Sequence, residues 1–79
     1  MTAQRAKHIG IDMAREAYRQ WDRQEDPAEV VMRYVRRLSA ALQAWGLTED
    51  DDHLEEVAEL WFRSEAEYLF GADYVVVGQ

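Results

Sequence analysis

The side chains best suited to chemistry in this 79-residue chain are its carboxylates, two histidines and a few hydroxyls. Glu65 is the most unusual of them, because helical spacing places it inside an apolar stripe, between Trp61 and Leu69. Burying an unpaired carboxylate costs several kcal/mol. We therefore expect Glu65 to reach solvent, to form a salt bridge with an arginine of another helix or subunit, or to serve acid–base chemistry.

The pattern closest to a metal site is Asp50-x-x-His53, followed by Glu56, with His8 and Asp12 one helical turn apart. A carboxylate and a histidine three residues apart share a helix face, as in the metal sites of helical bundles. Those sites also need inward-pointing carboxylates from the facing helices, and the first two helices offer none. The sequence therefore predicts no metal and no cofactor.

Nucleophilic catalysis needs a hydroxyl or thiol held beside a base. The chain has no cysteine, and its four glycines are isolated from one another, so it contains no phosphate-binding loop. A small bundle also has little room for a substrate pocket. The remaining hydroxyl candidates lie at polar or boundary helical positions or near helix starts: Thr2, Ser39, Thr48 and Ser64. We predict that the protein is not an enzyme and has no catalytic residues.

The composition is that of one small globular domain covering residues 1–79, with 48% hydrophobic residues. This length is close to the lower limit for a single hydrophobic core, so a homodimer is one expected way to complete the core. No apolar run has the length of a membrane span and no signal peptide opens the chain. We expect a cytoplasmic protein without membrane contact.

The net charge of −7 is unevenly distributed. Residues 47–79 hold ten acidic groups against one cation, Arg63, whereas the earlier part of the chain is neutral to basic. This layout differs from the uniformly basic surface of a nucleic-acid-binding domain. We therefore predict no direct contact with nucleic acid.

Three amphipathic segments predict an all-α fold. In the first, about residues 3–24, the apolar positions recur at steps of three and four: Ala6, Ile9, Met13, Ala17 and Trp21. The opposite side carries a charged ridge of Arg15, Arg19 and Arg23. This ridge is either a solvated surface or a docking site for carboxylates or phosphates.

The second predicted helix, 27–45, starts with Asp26 as its cap and Pro27 at the first helical position. Gly46 follows it as a left-handed stop. Its apolar stripe comprises Val31, Tyr34, Val35, Leu38, Ala41, Leu42 and Trp45.

The third predicted helix, about 49–70, opens with four consecutive acids that complement the positive end of the helix dipole. Its predicted core face comprises Leu54, Val57, Ala58, Trp61, Tyr68 and Leu69, with Phe62 at the rim. Short connections require the helices to run up, down and up. The three tryptophans are predicted to lie in the core, with Trp21 the most exposed of them.

A short apolar tail, 72–79, follows the third helix. It either closes the open end of the bundle or pairs as an edge strand with a partner or a second copy. Together with the end of the helix it supplies the predicted partner or oligomer contacts: Phe62, Phe70, Tyr74, Val75, Val76 and Val77.

Two functional hypotheses follow. The first is a small acidic protein-binding module that occupies a basic, nucleic-acid-binding groove of a partner protein, as small inhibitors of nucleases and phage anti-defence proteins do. The second is a structural subunit that homo-oligomerises or docks into a larger complex through its C-terminal tail and its arginine ridge. In the first, the partner-binding acidic face comprises Glu49, Asp50, Asp51, Asp52, Glu55, Glu56 and Glu59.

Overall fold

A computed structural model of the chain describes residues 2–47 and 52–71. They form three α-helices: α1 (Ala3–Gln20), α2 (Pro27–Ala44) and α3 (Asp52–Phe70). The first helix packs against both others, and most extensively against α3. These contacts confirm the predicted all-α three-helix bundle.

The helices run up, down and up. The guanidinium of Arg5, near the start of α1, lies 4.3 Å from the ring centre of Trp45, at the end of α2. These two helices are therefore antiparallel. The ring of Tyr18, near the end of α1, lies 5.4 Å from that of Phe70, the last residue of α3. The first and third helices are therefore parallel.

The first helix is shorter than its sequence pattern predicts. It ends at Gln20 and not near residue 24, because the following residues form a turn stabilised by their own side chains. The carboxylate of Asp22 accepts the backbone N–H two residues later at 3.0 Å. The indole N–H of Trp21 donates to the carbonyl of Glu25 at 3.1 Å. Aspartate favours such turns over continued helix, and Arg23 consequently lies in the turn.

The boundaries of α2 follow the predicted signals closely. The carboxylate of Asp26 accepts the backbone N–H two residues later at 3.1 Å, and Pro27 is the first helical residue. The helix ends at Ala44, one residue before the predicted end. Gly46 then adopts a left-handed φ of 102°, a conformation that glycine reaches without a Cβ clash.

Small side chains let α1 and α3 approach closely. A Cβ added at Gly10 would lie only 2.2 Å from the carbonyl oxygen of Ala58. The buried positions of α3 follow one another at steps of four, which is the ridge spacing of closely packed helices. The buried residues are Ala6, Gly10, Ala14 and Ala17 on α1, and Leu54, Ala58, Phe62, Ala66 and Phe70 on α3.

The buried face of α3 is rotated relative to the predicted one. The structure buries Phe62 completely but leaves Trp61 37% exposed and Tyr68 82% exposed. Trp45, at the end of α2, is 60% exposed, so the predicted burial of tryptophans is wrong for Trp45 and Trp61. The reason is steric: α1 approaches α3 so closely at Gly10 that Ala58 lies opposite it, which displaces Trp61 and Tyr68 to the side.

The turn between α1 and α2 is tied to α2 by an ion pair. The Glu25 carboxylate and the Arg33 guanidinium approach to 2.8 Å. The hydrogen bond from Arg33, followed by one from the Asp22 backbone, holds the pKa of Glu25 below its ordinary value. Because the folded pKa is the lower one, this stabilisation is present above the unfolded pKa of glutamate, about 4.3. It is lost as pH falls through the folded pKa.

Replacing Arg33 by glutamine is expected to raise the pKa of Glu25 towards its ordinary value, because the guanidinium donor is removed. Stability at neutral pH should change little, since the pair is solvent-screened. Side-chain carboxyl NMR during a pH titration measures the shift. Arg36→Gln, another exposed arginine of α2, is the matched control and should leave the pKa of Glu25 in place. An equal effect of both variants would contradict the specific pairing.

Candidate functional site

The outer surface of α3 is divided lengthwise into two bands. The band towards α2 is the acidic strip, and it contains Glu56, Glu59 and Glu67. The band towards α1 is the apolar stripe, and it contains Trp61 and Tyr68, which are 37 and 82% exposed. Leu60, which is 65% exposed, lies between the two bands. Contacts with the neighbouring helices define the two sides. Glu55 reaches Ser39 of α2, whereas Lys7 of α1 lies over the ring of Trp61.

The structure describes the side chains of three of the seven acids predicted to bind a partner. Glu55 is half-buried and accepts the hydroxyl of Ser39 at 3.0 Å. Glu59 pairs with Arg63 of the same helix at 3.0 Å, and Glu56 is exposed. Asp52 is the first residue of α3. The other predicted acids lie outside the described residues: Glu49, Asp50 and Asp51.

Part of the acidic strip carries uncompensated charge. Glu56 and Glu67 are exposed, and no ion pair within residues 2–47 and 52–71 involves either of them. Glu67 was not among the predicted site residues, although its spacing from Glu56 places both on one side of the helix. These carboxylates are therefore available to external cations.

The predicted arginine ridge is engaged within the chain. Arg15 pairs with Glu65 of α3, and Arg19 pairs with Glu16 of its own helix. Arg23, which lies beyond the end of α1, stacks 4.4 Å from the ring centre of Trp21. The three arginines therefore do not form a free, continuous ridge.

Glu65 is half-buried at the boundary between α1 and α3. Its carboxylate accepts the Nε–H of Arg15 at 2.9 Å, and its side chain retains 21% exposure. Of the three predicted outcomes, the structure shows a salt bridge to an arginine of another helix. The rotated core face explains why: Phe62 and Ala66 occupy the centre of the contact, so Glu65 reaches the rim.

The aromatic residues predicted to contact a partner at the end of α3 are core residues of this chain. Phe62 has no exposed surface and Phe70 only 4%. The ring of Phe70 packs 5.0 Å from that of Trp21, so neither phenylalanine is available to a partner in the folded protein. The remaining predicted contacts, Tyr74 and Val75 to Val77, lie outside the described residues, as does the rest of the tail.

An open groove of about 740 Å³ runs between α1 and α2. Its apolar lining includes Ile9, Met13 and Trp45, and its rim mixes cations with acids. Arg19 on the rim is paired with Glu16. The rim therefore offers no single sign of charge that would select a ligand.

Two of the four candidate hydroxyls form hydrogen bonds within the chain. Thr2 caps α1 by accepting the backbone N–H of Arg5 at 3.2 Å, and Ser39 donates to Glu55. Across residues 2–47 and 52–71 there is no cluster of three or more histidines and acids that could hold a metal. The described helices are also too short or too polar to cross a membrane.

The exposure of the apolar stripe could not be read from the helical period alone. The helical period predicts that Trp61 and Tyr68 lie in the core, and the predicted core face does not include Leu60. The contact between Trp61 and Lys7, at 4.2 Å from the ring centre, joins residues far apart in the chain. The sequence indicates this contact only through the predicted parallel course of the first and third helices.

Comparison with known protein families, with curated proteins and with solved structures gives no significant match to this chain.

Proposed function

We propose that this chain is a non-enzymatic protein-binding module whose acidic strip binds a basic surface of another protein. The observation that carries the proposal is the uncompensated negative charge of Glu56 and Glu67 on the outer side of α3. Complementary charge of this kind accelerates association and selects partners. The net charge of −7 acts in the same direction.

The partner class that fits best is a protein with a nucleic-acid-binding groove. Such a groove presents arginine and lysine side chains at the spacing of phosphates. A rigid helix with a row of carboxylates can occupy it and exclude DNA or RNA. The chain immediately before α3 adds three further acids: Glu49, Asp50 and Asp51. The proposed activity is therefore competitive inhibition of nucleic-acid binding, of the kind that phage anti-defence proteins exert.

A competition assay tests this function. Labelled DNA duplex is bound to each of a panel of purified nucleases and other basic DNA-binding proteins, and its fluorescence anisotropy is followed as the chain is added. We expect displacement from a member of the panel, with an affinity that falls as salt rises. Displacement that does not depend on salt would contradict an electrostatic contact.

The double variant Glu56→Lys, Glu67→Lys should lose this competition by on the order of a hundredfold in affinity, since the two carboxylates that carry the proposal become repulsive cations. The matched control is Asp12→Lys, Glu29→Lys, which changes the net charge equally at exposed positions of α1 and α2. Equal loss in both variants would show that net charge alone acts. Full retention in the first variant would overturn the proposed acidic contact.

A further inference from the structure

The apolar stripe of α3 has the spacing of a coiled-coil seam. Val57, Trp61, Ser64 and Tyr68 follow one another at steps of four, three and four, which keeps them on one narrow face. Leu60 borders this face. In the single chain Leu60, Trp61 and Tyr68 are exposed to solvent. Large apolar side chains aligned in this way are typical of a contact surface.

The two edges of the stripe carry opposite charges. On the α1 side, the ammonium of Lys7 lies 4.2 Å from the ring centre of Trp61, and Arg15 lies at the same edge in its pair with Glu65. The net positive charge of this edge therefore comes from Lys7. On the other side the stripe is bordered by Glu56 and Glu67 of the acidic strip.

The charged residues of the two edges also lie at matching positions along the axis of the bundle. Arg15 pairs with Glu65, fifty residues later in the chain. Gly10 lies against the backbone of both Ala58 and Phe62, whose midpoint is again fifty positions on. Since α1 and α3 are parallel, Lys7 lies level with the region of Glu56. By the same register, Arg15 lies level with residue 65, about two residues before Glu67 along α3.

We propose that a second copy of this chain covers the stripe, with the two α3 helices parallel about a two-fold axis that runs along them. This rotation exchanges left and right edges. It therefore brings the basic edge of one copy against the acidic edge of the other, Lys7 opposite Glu56 and Arg15 opposite Glu67. An antiparallel pair would place acid against acid and base against base, which is repulsive. The charge pattern selects the parallel dimer.

The first test is solution mass. Light scattering on the full-length protein over a range of concentrations should show a reversible transition to twice the 9.3-kDa mass of the chain. Tyr68→Lys should weaken the dimer by on the order of tenfold or more, because it places a charge in the seam. Met32→Lys is the matched control, since Met32 is a 46% exposed apolar residue of α2 outside the stripe. Circular dichroism verifies that both variants fold.

The second test is orientation. The chain has no cysteine, so Val57→Cys supplies a single thiol at one end of the seam. In the parallel dimer two such thiols meet, and mild oxidation should join them efficiently. In an antiparallel dimer residue 57 faces the region of residue 68, which lies about 16 Å along the helix at 1.5 Å per residue. Oxidation should then give little cross-link.

A protein that remains monomeric at every concentration would overturn the proposal. So would a dimer that Tyr68→Lys and Met32→Lys weaken equally, or one in which Val57→Cys does not cross-link. The dimer contact covers Glu56 and Glu67, the same carboxylates that carry the proposed function, so the monomer is the form expected to bind the basic partner. The Tyr68→Lys variant keeps both carboxylates and so separates the two proposals: a monomer that does not displace DNA would contradict the proposed function alone, and an unweakened dimer would contradict the dimer contact alone.

Discussion

Replacing Gly10 with alanine is expected to destabilise the bundle by about 3 kcal/mol, the upper part of the range for inserting a group into a packed core. The added Cβ would lie 2.2 Å from the carbonyl oxygen of Ala58 and 3.1 Å from the backbone nitrogen of Phe62. Both are backbone atoms, which cannot rotate away as a side chain does. The two helices must therefore separate or shift. Alanine's better helix propensity returns only about 1 kcal/mol.

Urea unfolding of Gly10→Ala, followed by circular dichroism, measures this loss. Gly46→Ala is the matched control, because Gly46 has open space around it but a φ of 102°. That variant should lose only about 1 kcal/mol, from left-handed strain. A Gly10→Ala protein as stable as the wild type would mean that α1 and α3 are not in close contact. Small domains have only about 4–12 kcal/mol of total stability, so the expected effect is easily resolved.

The ends of the elements were largely predictable, because the signals are local. Asp26 and Pro27 specify the start of α2 through one capping hydrogen bond and one fixed φ, whatever the rest of the fold does. Gly46 marks its end for an equally local reason. The end of α1 was the exception. The apolar period continues through Trp21, but the carboxylate of Asp22 accepts the backbone N–H of Gln24 and forms a turn, so the helix ends at Gln20.

Which face of each helix is buried could not be predicted in the same way. A helical wheel follows hydrophobicity, and so it centres α3 on the bulky residues Trp61 and Tyr68. Packing follows shape as well, and the close approach at Gly10 requires Ala58 and not a tryptophan opposite it. An isolated glycine within a helical pattern is the only trace of this contact in the sequence, and glycine there also lowers helix propensity.

Some features of the candidate site are predictable from the sequence, and others depend on how the helices pack. The acidic surface of α3 is predictable from the residue counts, because the charged side chains of a helix are expected to face solvent. Three features depend on which side of α3 meets α1: the pairing of Glu65 with Arg15, the exposure of the apolar stripe, and the opposite charges of its edges. That choice is made by packing between residues about fifty positions apart. No local pattern specifies it.

The rotated face of α3 has a direct energetic consequence at two adjacent aromatic residues. Phe62→Ala is expected to cost about 4 kcal/mol, since the ring is fully buried and its removal leaves a cavity between the helices. Trp61→Ala removes a larger side chain but should cost only about 1 kcal/mol. Trp61 is 37% exposed and lies outside the buried core, and its contact with Lys7 is a surface cation–π interaction.

The sequence pattern alone predicts the opposite order, with Trp61 at the centre and Phe62 at the rim, so this pair of variants decides between the two arrangements. Unfolding should be measured in dilute solution, where dimerisation through the apolar stripe does not add to the stability of either form. A larger loss for Trp61→Ala would show that α3 presents its tryptophan to the core. The apolar stripe would then be buried, and the proposed dimer surface would not exist. A larger loss for Phe62→Ala leaves Trp61 on the outside, at the surface that the proposed second copy covers.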